Sequence, residues 1–350
     1  MKKQPQFFDF ENCVDMVGKK QPFLRRLNTI IDWEIFRPII KKIHIHEEGG
    51  PGRPPFDPVL MFKILILQKL YGLSDDSMEV ELYDSISIME FLDLDLSCRR
   101  PDAKTIWHFK EELRRRGIEN DLFSRFDMFL RKQGYETKKG VICDASFVEV
   151  PVQRITQKES IQLSAGVSPE AWTQKETDSE KTIQRKKHRA AQRDTDAKWT
   201  TKNNRSFFGF KNHVLVDSET KLIHAFEVTP ASVHDSKMTD KLLEKVKRGQ
   251  IFYADSAYKS RKTDLKLKAK GIQNRICLKG SRAGKLSGEQ KMWNRQKVSR
   301  VRSRVEHVFG DMKWYCGDFI RTIGIERAKL QISLCNLLYN FRRLATLTAT

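Results

Sequence analysis

A chain of 350 residues with 39% hydrophobic side chains, including 21 Phe and 6 Trp, is long enough for two domains, or for one with a large insertion, and rich enough in apolar groups to argue against global disorder. Its 65 Lys and Arg outweigh 45 Asp and Glu, and the formal charge of +20 points to a polyanionic partner, nucleic acid first, because phosphate contacts dominate such binding. Six scattered cysteines (Cys13, Cys98, Cys143, Cys277, Cys316, Cys335) contain no CxxC pair, which argues against a zinc knuckle or a disulfide framework and suits a reducing compartment.

Residues 1–139 read as an all-α domain for DNA binding or dimerisation. Residues 1–6 carry no apolar run of the kind a secretory leader needs. Apolar positions at helical spacing run over 22–43, broken near Pro38. His44 and His46, followed by Glu47 and Glu48, have no second ligand cluster, so no metal site is expected there. A Gly/Pro-rich turn over 49–55 follows, and Asp57-Pro58 has the form of an N-cap with proline at the first helical position. The helix it opens, 59–71, is almost wholly apolar and expected to be buried. Its run over 61–67 is short and holds Lys63, so it reads as core rather than a membrane span. Ser74 caps a helix expected to run to about Leu92, Pro101-Asp102 opens another over 103–116, and 118–132 reads as one more. Short helices with tight connections resemble a helix-turn-helix arrangement. The candidate recognition helix, 102–116, carries Lys104, Thr105, His108, Lys110 and Arg114-Arg115-Arg116, with Lys104 and Arg114 as DNA contacts, although helix packing or dimerisation explains the pattern nearly as well.

From residue 140 the pattern turns to strands, in a second domain over 140–350. The β-rich run 141–150 is interrupted by Asp144, a charge that needs a partner or a metal inside a buried strand. Residues 152–203 are polar and include Arg185-Lys186-Lys187-His188-Arg189. They read as a basic insertion, partly mobile, either facing nucleic acid or simply solvated. Trp199 within it can stack on a displaced base, though a core or interface position is the commoner fate of a tryptophan. Strands are expected at 206–216 and 222–228 around the turn 217–220. On the first, Lys211 and His213 alternate, either as DNA contacts or as solvent-facing positions. Asp235, in His234-Asp235-Ser236, reads as the N-cap of a helix over 237–247. The run 250–258 is a short strand ending on Asp255. A helix over 259–270, a strand over 273–278 and a basic linker over 279–291 follow. The next helix places Val298, Val301, Val305, Phe309 and Met312 on an apolar stripe, with Arg302, Glu306 and Lys313 on a neighbouring face. His307 leaves that helix about 100° from Glu306 and receives no general-base role. An apolar helix over 325–347 closes the core.

Asp144 on the first strand, Asp255 at the end of the fourth and Glu306 on a late helix are three acids on non-adjacent elements of an α/β sheet. Such a set fits a site for two divalent cations. Hard oxygen ligands suit magnesium, and paired ions serve phosphodiester transfer. Arg302 and Lys313 would then lie along the DNA backbone.

Cys143-Asp144-Ala145-Ser146, Ala254-Asp255-Ser256-Ala257-Tyr258 and Arg302-x3-Glu306-x6-Lys313 resemble the DDE transposases of bacterial insertion sequences, the IS-four/IS-five superfamily. The family pattern around the third acid begins with a tyrosine three residues before the arginine, and that position is Ser299 here. Asp196–Trp199, Phe208–His213 and the region 52–92 are similar to segments of the IS-five group. The resemblance implies an RNase H-like core, a mixed sheet flanked by helices with an insertion after the first strands, preceded by the all-α domain. It implies Asp144, Asp255 and Glu306 as catalytic metal ligands for two Mg2+ or Mn2+ ions, and cleavage at the ends of a mobile element. It also implies strand transfer into target DNA by the freed 3′-hydroxyl. The partners it implies are double-stranded DNA with terminal inverted repeats and further copies of the chain, as a homodimer or larger, in the nucleoid of a bacterial cytoplasm. The competing expectations are a catalytically inactive DNA-binding regulator and a nuclease of the same fold that does not join strands.

Overall fold

Capping residues set the starts of the N-terminal helices. The computed structural model describes residues 16, 22–43, 54–152, 156–169, 172–173, 178–202, 204–280 and 284–349. His44, His46, Glu47, Glu48, Cys13 and most of the turn expected over 49–55 lie outside these. Helix α1 spans Pro22–Ile30, and single helical turns follow over 33–43, the first capped by Asp32. Asp57 Oδ1 accepts from the backbone N–H groups of Val59 and Leu60 and so starts α2, Pro58–Tyr71, which Gly72 ends at a φ of 65°. Ser74 starts α3, Asp75–Asp84. The single helix expected to reach Leu92 is in fact two. Ser85 leaves helical geometry (φ −97°, ψ 107°) and its hydroxyl accepts from Ile88 N–H to open α4, Ile86–Leu92. Asp102 caps α5, Ala103–Arg116, and α6 spans Glu119–Lys132.

Six strands form one sheet: β1 Gly140–Glu149, β2 Lys198–Lys202, β3 Arg205–Asp217, β4 Ile223–Pro230, β5 Ile251–Ala254 and β6 Gln273–Ile276. β3 runs antiparallel to β1, β2 and β4, whereas β5 is parallel to β1 and β6 is parallel to β5. The order β4-β3-β1-β5-β6, antiparallel on one side of β1 and parallel on the other, is that of an RNase H-like core, as expected. Between β1 and β2, part of the insertion folds into α7, Gln157–Ser164, and α8, Glu180–Ala191. The remaining helices are α9 Thr239–Leu243, α10 Arg261–Ala269, α11 Gly288–Trp293, α12 Arg300–Cys316 and α13 Ile325–Leu347, with a wide π-type turn over Asn294–Ser299 leading into α12. Among the described residues no helix is long and apolar enough to cross a membrane.

Both faces of the sheet are covered, and strand alternation divides its side chains between them. Ile142, Val214 and Val216 join one cluster with Phe36, Phe62 and Phe126 of the N-terminal helices and Leu337 and Phe341 of α13. Edge-on packing of Phe126 against Phe341, centroids 4.6 Å apart, lies inside that cluster. Val141, Cys143 and Leu215 point the other way, against Phe252, Tyr258 and Leu267. The helices before β1 therefore share a core with the sheet, and polar side chains of the central strands face packed helices instead of water. Asn336 and Asn340 of α13 answer this locally. Asn336 bonds Asn212 side chain to side chain, and Asn340 exchanges two hydrogen bonds with the backbone of Ile223.

Candidate active site

The first two acids are placed by strand register. β1 and β5 are paired in parallel up to Cys143 and Ala254; Asp144, inside β1, and Asp255, directly after β5, are the next residues. Both fall on the face that carries Ile142 and Tyr253, towards α12 and α13. Asp144 is mostly buried, with 15% of its side chain exposed. One of its oxygens accepts from the backbone N–H of Ala145 at 2.9 Å, and the other from Arg302 Nη1 at 2.7 Å. Burial pushes its carboxyl above the usual carboxylate range, against the pull of Arg302. Asp255 caps the short turn Ser256–Tyr258, accepting from Ser256 N–H at 2.6 Å.

α12 carries the rest. Its stripe is buried as expected at Val305 and Met312, with Val308 added, and Val301 and Phe309 pack against the same core. Arg302 projects from it toward Asp144 in β1. The sequence pairs Arg302 with Glu306 one turn on, yet that separation is 3.8 Å and the short bond goes to Asp144. Burial works against the guanidinium's charge, but Asp144 and Asp255 outweigh it and hold Arg302 above its ordinary pKa. Arg302 Nε is buried without a hydrogen-bond partner. Glu306 is 66% exposed at its side chain. Lys313, half exposed, lies 3.4 Å from Asp318.

Among the described residues no three His, Cys, Asp or Glu side chains converge closely enough to hold an ion, and the cation bonded to Asp144 is Arg302. The donor chemistry nevertheless fits a hard divalent cation. Asp144 and Asp255 offer carboxylate oxygens from neighbouring parallel strands, and Asp144, desolvated, already needs a cation beside it. The pairing of Arg302 with Asp144 was missed in the sequence. Its signal was a charge in a buried strand with no local partner.

Other candidates stand elsewhere. The expectation that Lys211 and His213 face DNA or solvent is corrected: β3 is sandwiched, so both are buried, His213 fully. Lys211 Nζ donates to Asp235 Oδ1 at 2.9 Å and to the Val233 carbonyl at 2.8 Å, and His213 Nε2 lies 2.9 Å from Thr229 Oγ1. Asp235 is therefore the counter-ion of Lys211, while the cap is His234, whose ring accepts from Ser236 N–H. The expected helix over 237–247 is shortened to a 3-10 turn and α9. Lys104 is exposed on α5. Arg114 is tied to Glu111, which also binds Arg327 of α13, so that side of α5 packs inward. Trp199 is 54% exposed rather than in a core.

A family model described as "Transposase DDE domain" matches residues 135–341, and one described as "Transposase domain (DUF772)" matches residues 11–112. Among solved structures, the chain is similar to the piggyBac transposase in a synaptic complex with hairpin DNA, at 13% identity over 93% of this chain and 76% of that one, with a TM-score of 0.40. It is also similar to the Mos1 strand transfer complex, at 13% identity over 89% of this chain and 83% of that one, with a TM-score of 0.28.

Proposed function

The chain belongs to the DDE transposase family, and from that premise we propose that Asp144, Asp255 and Glu306 are the acids of a DNA-cleaving and strand-joining centre. The observation that carries this reading is the adjacent position of Asp144 and Asp255, each the residue directly after the last parallel pair of β1 and β5, with Arg302 of α12 reaching across to Asp144. The spacing Arg302-x3-Glu306-x6-Lys313 supports a finer placement in the IS-four/IS-five superfamily, with Ser299 at the position of its tyrosine.

Asp144 and Asp255 would hold the divalent ions, two of Mg2+ or Mn2+, and Glu306, one turn beyond Arg302, would join them by side-chain rotation. When bound, such ions activate an attacking oxygen and neutralise the leaving one. The reaction we assign is hydrolysis of a phosphodiester at an element end, followed by attack of the freed 3′-hydroxyl on target DNA. Arg302 and Lys313 bind and orient the phosphate backbone, because a guanidinium fork and an ammonium are the natural partners of phosphate oxygens. The helices over 1–139 form a DNA-binding and dimerisation unit, with Lys104 on the open side of α5 and Arg114 acting on DNA only indirectly, through its inward ion network. The terminal inverted repeats and the target duplex are the DNA partners, bound by a homodimer or larger assembly in a bacterial cytoplasm.

The test is a plasmid carrying paired element ends, incubated with the full chain and Mg2+. Joined products are expected from the wild type, and neither cleavage nor joining from Asp144→Ala or Asp255→Ala. Cleavage without joining would make the protein a nuclease, and binding without either would make it a regulator.

A further inference from the structure

A second cationic site lies away from the acids. A cavity of about 390 Å3 opens between α1, α12 and α13. Tyr315, in its wall, is nine residues beyond Glu306, so at about 100° per residue it leaves α12 from the opposite face. Three guanidiniums line the cavity: Arg26, Arg342 and Arg343. Asp311 is the one carboxylate among the lining residues described. Arg343 is spent in part, donating through Nε to the Thr220 carbonyl at 2.6 Å.

Arg342 is held differently. Its guanidinium carbon lies 3.5 Å from the centroid of the Tyr315 ring and 4.5 Å from that of Phe23, rings contributed by two other helices. Aromatic stacking fixes the plane of a guanidinium and occupies its faces, which leaves the N–H groups at its edge for bonding. Among the described residues those groups have neither a carboxylate nor a hydrogen-bond acceptor, and Arg26 has neither as well. A planar donor fork, pre-set by packing and unfilled, matches an acceptor with two oxygens in one plane. Three cations against one acid, in a chain of net charge +20, select a phosphate of a polyanion.

We propose that this cavity is a second DNA-backbone site, in which Arg342 grips a phosphate in bidentate fashion with Arg26 and Arg343 beside it. The proposal rests on the DNA-binding reading above. It places a stretch of duplex on the face of α12 opposite Glu306, separate from the phosphodiester being cut.

Fluorescence anisotropy of a mixed-sequence duplex, titrated with the full chain across about 50 to 200 mM KCl, reads the number of phosphates neutralised, since each contributes about 0.9 to the slope of log K against log salt. Arg342→Gln is expected to flatten that slope by about 0.9, and Arg26→Ala by up to the same amount. Arg342→Lys keeps the charge but loses the fork, so it is expected to keep the slope while weakening binding severalfold. Thermal melts report whether each variant folds. Should Arg342→Gln fail to fold, Arg26→Ala decides, because it removes a cation with no ion pair. Wild-type slopes in Arg342→Gln and Arg26→Ala overturn the site. So does a duplex slope that stays put while binding of polyglutamate is lost, which would assign the cavity to an acidic protein. A wild-type chain that binds no duplex overturns this proposal together with the reading beneath it.

Discussion

Two ionic clusters stand on opposite faces of the same sheet. On the face toward α9, Lys211 and Asp235 meet at 2.9 Å, Lys211 also reaches the Val233 carbonyl, and His213 is anchored on Thr229. On the face toward α12, Arg302 holds Asp144, Glu306 stands in solvent, and among the described residues the Arg302 Nε has no partner and Asp255 bonds only its own turn. The first cluster is buried and paired around its lysine, with His213 Nδ1 enclosed 4.0 Å from Asp235, which fits a structural role. The second keeps carboxylate oxygens accessible, on exposed Glu306 and on Asp255, beside the point where the β1–β5 pairing stops, where an ion would use them. Equal charge in a sheet thus means different things according to what is left unbonded.

The sharpest way to break this comparison is to remove one member from each cluster. Asp144→Ala or Asp255→Ala is expected to lower cleavage by about a thousandfold or more, about 4 kcal/mol of barrier, with DNA affinity nearly kept. Asp235→Ala is expected to do the reverse. It leaves the buried ammonium of Lys211 without its carboxylate, so it should cost about 3 kcal/mol in a urea titration while cleavage per folded molecule stays unchanged. An Asp235→Ala chain as stable as the wild type would remove the distinction.

Titration sharpens the contrast further. Burial, with Lys211 nearby, lowers the His213 pKa from 6.5 to about 4, against the pull of Asp235. The unfolded chain therefore takes up the proton first as the solution is acidified. The stability that His213 contributes is whole above its unfolded pKa of 6.5 and is lost as the pH falls to about 4. The loss is about 3 kcal/mol. His213→Gln should flatten the stability profile in that window. A wild-type profile in the variant would remove His213 from the account.

Much of this was legible in the sequence because it is local. Asp57, Ser74 and Asp102 cap the helices they precede, and the run that holds Asp144 and the run that ends on Asp255 form the expected strands. The split at Ser85 was not anticipated, since helical spacing continues through a single residue that turns out to cap. Lys211 and His213 were misplaced for a longer-range reason. Alternation on a strand identifies a solvent face only when one face of the sheet is open, and β3 lies under helices on both sides. Asp235, the counter-ion that makes this burial tolerable, is 24 residues from Lys211. The Arg342 fork depends on rings from two other helices and has no signature in any one segment.

Glu306 bears most directly on the claim that three distant acids make one centre, because its carboxylate faces water in the free chain. Cleavage of a labelled element-end duplex by Glu306→Gln, in Mg2+ or Mn2+, isolates it. The account predicts activity at background with DNA affinity intact, and cleavage at the wild-type rate would contradict it.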